Sequence, residues 1–162
     1  MNEINTVTLT PKQFQQRILA WFKIYGRKDL PWQQTKSPYR IWLSEIMLQQ
    51  TQVATVIPYF QNFIQAFPTL SSLAKADIEE VLHRWSGLGY YARARNLHRS
   101  AQIIEKEYFG KFPQDLMQLQ SLPGIGRTTA GAILALAFNK SASILDGNVK
   151  RVLTRVHAIP GS

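Results

Sequence analysis

LPGIGRTTAGAIL, Leu122 to Leu134, sets two glycines around one apolar residue directly after a proline, then runs on into a segment rich in Ala and Gly. Gly124 and Gly126 can adopt positive φ and carry no Cβ atom. The backbone N–H groups of such a turn, together with those of the helix start at Arg127-Thr128-Thr129, can therefore converge on one phosphate oxygen. The same letters also suit a plain tight turn between two packed helices. Either way the stretch reads as helix, sharp turn, helix, with the flanking helical patterns at 114–120 and 127–138.

Outward from this turn the chain repeats the same grammar, and no run of alternating apolar and polar residues interrupts it. Thr10 and Pro11 open a first helix as cap and first helical residue, Gly26 closes it, and Phe14, Ile18, Trp21, Phe22 and Tyr25 form its predicted core stripe. Ser37 and Pro38 open a second in the same way, reaching to about Gln50. Further helical patterns cover 53–66, 77–85 with Asp77 as cap, 90–108, and 148–157. Pro58 lies inside the third and predicts a kink or a split there. The fold class is all-α. No low-complexity stretch, long linker or repeat divides the chain.

The formal charge is +9, and residues 81 to 162 hold 11 Lys/Arg against 4 Asp/Glu. That bias implies a polyanionic partner, nucleic acid ahead of a membrane, since no basic amphipathic segment is continuous enough to lie on lipid. Cysteine is absent, which excludes disulfides, thiolate catalysis and thiolate metal sites. His83, His98 and His157 lack ligand spacing, so no side-chain metal site is expected. The opening MNEINTVTL has no signal-peptide pattern and no run of 18 apolar residues occurs, so a cytoplasmic protein is expected.

Two carboxylates stand out. In SPYRIWLSEIMLQQTQ, Ser37 to Gln52, Tyr39, Trp42, Leu43, Ile46 and Met47 follow one helix face, and Ile41 and Leu48 share the neighbouring one with Glu45. An acid in such a turn loses solvation and tends to hold its proton, as a general acid must. An exposed Glu paired with Arg40 or Arg127 is the plainer alternative. In ILDGNVKRVLTRV, Ile144 to Val156, Asp146 stands where an N-cap belongs, at the positive end of a basic helix that favours its anion. Capping alone would explain it. A protonated Glu opposite an ionised Asp is nonetheless the division of labour that glycosidic cleavage uses.

Taken together, LPWQQTKSPYRIWLSEIMLQQTQVATVIPYF (Leu30 to Phe60), GLGYYARARNLH (Gly87 to His98), LPGIGRTTAGAIL and ILDGNVKRVL resemble the bacterial A/G-specific adenine DNA glycosylases of the helix-hairpin-helix superfamily. The likeness runs from about Thr10 to Val156. It implies a six-helix lobe at 30–141 with the helix-hairpin-helix at 114–138, and parts of a second helical lobe at 1–29 and 142–162. It implies a monomeric base-excision repair enzyme that extrudes adenine mispaired with 8-oxoguanine or guanine in double-stranded DNA, then hydrolyses its glycosidic bond. By resemblance Glu45 protonates adenine N7, Asp146 stabilises the cationic sugar, and Asn148 holds the nucleotide and the catalytic water. Leu30 and Trp32 line the adenine pocket, Gln50 wedges into the duplex and Tyr90 intercalates from the other side. Gly124, Ile125 and Gly126 bind phosphate through their N–H groups, with Arg127, Thr128 and Lys150 nearby, and the hairpin carbonyls can hold a monovalent cation. The family's [4Fe-4S] cluster would have its four cysteines beyond Ser162, followed by a domain that recognises 8-oxoguanine. The chain is thus expected to be an N-terminal catalytic part.

Two other readings remain at this point. Endonuclease III-like glycosylase/lyases share these helices but carry a lysine where this chain has Thr128, so strand cleavage should be weak or absent. A non-catalytic helix-hairpin-helix DNA-binding module would need the hairpin and the charge but neither Glu45 nor Asp146.

Overall fold

The computed structural model describes residues 9 to 159, and among these all regular structure is helical. The chain divides into two compact units, Leu30–Asp146 and the pair Met1–Asp29 with Gly147–Ser162. The larger contains α2 (Pro38–Met47), α3 (Val53–Ala66), α4 (Leu70–Lys75), α5 (Ile78–Trp85), α6 (Ala92–Glu107), α7 (Leu116–Gln120) and α8 (Arg127–Phe138), with a short 3-10 turn at Pro31–Gln33. The smaller contains α1 (Pro11–Tyr25) and α9 (Gly147–Val156).

In the larger unit the helical period turns directly into a core. Ala94, Leu97, Ala101 and Ile104 recur every three or four residues along α6 and are all buried, as are Trp42, Leu43, Ile46 and Met47 on α2. Each such side chain removed from water contributes roughly 1.5–3 kcal/mol for the larger residues. Phe63 meets Trp85 edge-on at 6.0 Å and Trp42 meets Phe112 at 5.3 Å, which ties α3 to α5 and α2 to the segment before α7. The α6 helix packs on α4 and α5, while α8 packs on α7 and α2. The last contact matters most for the site, since α2 carries Glu45.

Three local departures from the sequence reading have physical causes. α2 ends at Met47, short of Gln50, because Leu48 caps it and Gln50 takes a left-handed φ of 58° that no helix continues through. α4 follows no strong polar–apolar signal in LSSLAK, yet Thr69 and Ser72 form a reciprocal capping box and Leu70, Leu73 and Ala74 are buried. Pro58 does not split α3, which runs unbroken from Val53 to Ala66. Pro58 and Ala54 are both exposed, so the carbonyl deprived of its donor stands on the solvent side of the helix.

The smaller unit shows what periodicity does not predict. Thr10 caps α1 as expected, in a capping box with Gln13 that the sequence reading did not name, and the Phe14 ring lies 6.2 Å from that of His157 beyond α9. Phe14 and Ile18 share an apolar groove with Val149, Val152 and Leu153 of α9. None of the stripe is buried: Phe14 is half-exposed, Ile18 is 43%, Trp21 57% and Tyr25 67% exposed, and Phe22 is exposed as well. The pattern specified an apolar face; burial needs a second surface to cover it.

Candidate functional site

The hairpin is built by three different means. Gly124 has φ +77°, and a Cβ there would stand 3.0 Å from the Asn96 Cβ, so both conformation and space require glycine. Ile125 turns its side chain into the core and gives its N–H to the Leu122 carbonyl at 3.2 Å. Ser100 of α6 fastens the turn from below through an Oγ–H bond of 2.8 Å to the Pro123 carbonyl. Gly126 differs from the expectation. Its backbone is extended, φ −84° and ψ 175°, so positive φ is not its purpose, and nothing lies within 4 Å of where a Cβ would point.

Behind it the first helical bond is Ala130 N–H to the Gly126 carbonyl, 2.9 Å. The N–H groups of Arg127, Thr128 and Thr129 thus have no intrahelical acceptor, and no side chain caps them. Arg127 is exposed and Thr128 half-buried beside this open helix start. Thr129 is buried, its Oγ1 accepting a long 3.5 Å bond from Gln49 Nε2 at the end of α2.

Glu45 and Asp146, remote in sequence, are brought into electrostatic contact by one helix. α8 lies against α2, which carries Glu45 in its last turn. On α8, a Cβ at Gly131 would stand 3.2 Å from the Ser143 carbonyl and 3.3 Å from Ile144 Cγ1. The absence of that atom lets the segment leading to Asp146 cross the helix closely. Burial raises the Glu45 pKa above its ordinary value, and the neighbouring Asp146 carboxylate raises it further. The charge acting on Glu45 is therefore an acid rather than Arg40 or Arg127. Asp146 immediately precedes α9, the position expected of its N-cap.

The remaining residues fall in several places. Trp32 is buried with its ring edge-on to Phe60 at 5.4 Å, and Leu30 is half-buried against the same core. Asn148 and Lys150 are exposed on α9 in the smaller unit, where Asn148 Oδ1 accepts from Arg151 Nη2 at 3.3 Å. Gln50 and Tyr90 are both exposed and both left-handed, with φ of 58° and 50°. Among the described residues no group of three or more His, Asp or Glu gathers to hold a metal. No helix there is long and apolar enough to cross a membrane.

Arg93, inside GLGYYARARNLH, is the residue the sequence reading missed. It sits in the first turn of α6 and is only 9% exposed. Its Nη1 donates to the carbonyls of Ile46 (3.1 Å), Met47 (2.8 Å) and Gln49 (2.5 Å). Its Nη2 donates to Thr51 Oγ1 (3.2 Å) and to the carbonyls of Leu88 (3.3 Å) and Gly89 (3.2 Å). Burial lowers its pKa, and it remains the cation that these oxygens and the Trp85 and Tyr90 rings, each centred 5.5 Å away, stabilise. The available signal was a single arginine three residues after Tyr90, which in a basic helix looks like one more solvated charge.

This helical unit, with a hairpin fastened to its core and two carboxyls gathered by α8, has counterparts among repair proteins. Residues 43–162 match the HhH-GPD superfamily of base excision DNA repair proteins, and the chain belongs to that family. Among curated proteins it is 52% identical over 151 residues to the adenine DNA glycosylase of Buchnera aphidicola subsp. Baizongia pistaciae, covering 93% of this chain and 43% of that protein. It is 46% identical over 155 residues to the adenine DNA glycosylase of Homo sapiens, covering 90% of this chain and 28% of the relative. The chain thus spans less than half the length of the curated relatives it matches. Its fold superposes with a TM-score of 0.82 on a thermostable thymine-DNA glycosylase at 30% identity, covering 88% of this chain and 66% of that one.

Proposed function

We propose that the chain is the catalytic part of an adenine DNA glycosylase that hydrolyses the glycosidic bond of adenine mispaired with 8-oxoguanine or guanine. The observation that carries this reading is a largely buried Glu45 whose pKa is raised by burial and, further, by the neighbouring Asp146 carboxylate. Duplex DNA sits with a backbone phosphate at the open start of α8, where Arg127 and unpaired N–H groups favour an anion. Such contacts position the duplex and do not read its sequence. Gln50 and Tyr90 enter the stack where the adenine has left it, and the extruded base lies against Leu30 and Trp32.

Glu45 then gives its proton to adenine N7. The C1′–N9 bond breaks with its electron pair passing to the base, and Asp146 faces the electron-deficient sugar that remains. Water held by Asn148 adds at C1′ and loses a proton, leaving an abasic site and free adenine. Thr128 offers no amine for a covalent imine with the sugar, so the reaction stops at hydrolysis. Lys150 adds positive charge toward the DNA. The chain's lack of cysteine is incompatible with its ligating an iron-sulfur cluster, and no step here involves one.

The test is incubation with a duplex carrying one adenine opposite 8-oxoguanine, with and without alkali. Alkali-dependent breaks are expected; breaks without alkali would indicate a lyase, and none at all would indicate a binding module. Glu45→Gln keeps the shape but has no proton to give, and excision should fall on the order of a hundredfold to ten-thousandfold with DNA binding kept. In the parent, activity should decline as pH rises through the elevated Glu45 pKa. Stability follows the same sign: a folded pKa above the unfolded value near 4.5 means the contribution is complete below about that pH and lost as pH rises through the folded value. Glu45→Gln should therefore melt higher than the parent at neutral pH and lose that advantage in acid. A variant that excises at the parent rate would overturn the assignment.

A further inference from the structure

Gln50 and Tyr90 come from different turns, and each holds a backbone conformation that L residues rarely adopt. The turn after α2, Leu48–Thr51, exposes the last carbonyls of that helix, which have no partner within it. The turn Gly87–Tyr90 before α6 leaves the Leu88 and Gly89 carbonyls facing inward. Both sets of oxygens point at one guanidinium. Nη1 is occupied by the first turn, and Nη2 bridges from Thr51 of the first to Leu88 and Gly89 of the second. The Tyr90 ring also lies against the same cation, and Trp85 Nε1 adds a 3.1 Å bond to the Gly89 carbonyl.

We infer that Arg93 is a positioning residue that joins the Gln50 and Tyr90 turns into one rigid element, so that both side chains meet the duplex at a fixed separation. The inference rests on the reading above that places Gln50 and Tyr90 in the DNA. A planar fork with five donors can serve two turns at once; the point charge of a lysine at the same place cannot reach both. The same clamp holds the end of α2 at Ile46 and Met47, one and two residues from Glu45, so one cation couples the duplex-entering residues to the helix of the general acid.

The experiment is a cycle in the full 162-residue chain. Arg93→Lys is made in the parent and in a Gln50→Ala/Tyr90→Ala background. Affinity is measured by fluorescence anisotropy on a duplex with adenine opposite 8-oxoguanine, and amide hydrogen exchange is followed in the free protein. The substitution should weaken binding about tenfold in the parent and less than about twofold in the double-alanine background, because its effect passes through the two missing side chains. Exchange should quicken in 48–51 and 87–90 together, with the α4–α6 core unchanged. Equal losses in both backgrounds, or faster exchange throughout, would show a general stability role and overturn the inference. If Arg93→Lys unfolds the chain, Thr51→Val removes one arm of the clamp and is read the same way, with a smaller loss in the parent and none in the double-alanine background. Exchange and affinity do not depend on turnover. A parent that fails to excise adenine yet shows this coupling would refute the catalytic reading alone, and an active parent without coupling would refute only the clamp.

Discussion

The hairpin at Leu122–Gly126 and the paired turns at Gln50 and Tyr90 both put left-handed backbone on the surface of the larger unit, but by opposite means. At Gly124 a residue without Cβ adopts φ +77° at no steric cost. At Gln50 and Tyr90, L residues do so at roughly 1–2 kcal/mol each. What offsets that cost is Arg93, whose bonds to carbonyls are of the charge-assisted kind worth about 1.5–3 kcal/mol when well formed. The first device is made of main chain and is fixed by local residue type. The second is made of one buried side chain acting on segments more than 40 positions apart in sequence, from Arg93 to Gln49.

Exchanging the glycines should separate support from function within the hairpin itself. Gly124→Ala forces an L residue into φ +77° and drives its Cβ against Asn96, and should cost about 1–3 kcal/mol of stability, several degrees of melting temperature. Gly126→Ala has an extended backbone and open space, and should leave melting within about 0.5 kcal/mol of the parent. The methyl group would nevertheless stand at the open start of α8, and duplex affinity should drop about tenfold if a phosphate sits there, a change of about 1.4 kcal/mol. Calorimetry and anisotropy on the two variants read both quantities. Unchanged affinity in Gly126→Ala would place the phosphate elsewhere.

The same contrast explains what the sequence made legible. Helix starts at Thr10-Pro11, Ser37-Pro38 and Asp77, and the whole of α8, follow from caps, prolines and apolar period, all of which are local. The hairpin follows from two glycines, although their separate roles do not: Gly126 looks identical to Gly124 in sequence and differs in backbone and surroundings. Glu45 was noticeable as the acid in an apolar turn, and Asp146 as a cap, but their meeting depends on Gly131, whose missing Cβ matters only against Ser143 and Ile144. Arg93 was illegible because its six partners are mostly backbone oxygens, which every residue possesses. The apolar face of α1 shows the reverse error, where a clear local pattern suggested burial that the fold does not provide.

Relieving the left-handed residues should move stability and function in opposite directions. Gln50→Gly removes the steric cost of positive φ but widens the unfolded ensemble, so its net change should lie between about 0 and 1 kcal/mol of stabilisation, while Tyr90→Gly also loses the ring contact with Arg93, about 0.5–1 kcal/mol, and should be near neutral. Each also deletes a side chain proposed to enter the duplex, and single-turnover excision should fall although the protein melts no lower. Loss of melting temperature in both variants would mean that the side chains, rather than Arg93, maintain the turns.

The smallest effect should distinguish the two arginines. Arg127 is exposed beside the open start of α8, whereas Arg93 spends its donors on carbonyls inside the fold. A cation that neutralises a phosphate releases condensed counterions on binding, so its loss lowers the dependence of log K on log salt by about 1. Arg127→Ala should therefore reduce that slope by about one while costing only a few-fold in affinity at physiological salt. Arg93→Gln, which also removes the charge, should weaken affinity by a similar or larger factor with the slope intact, because a buried guanidinium bonded to main chain displaces no counterion from DNA. Titrations of the parent and both variants across a range of salt concentrations measure the two slopes directly. A slope reduced by Arg93→Gln and not by Arg127→Ala would exchange the roles of the two residues, putting the phosphate contact at the Gln50 and Tyr90 turns and leaving the hairpin as a packing device.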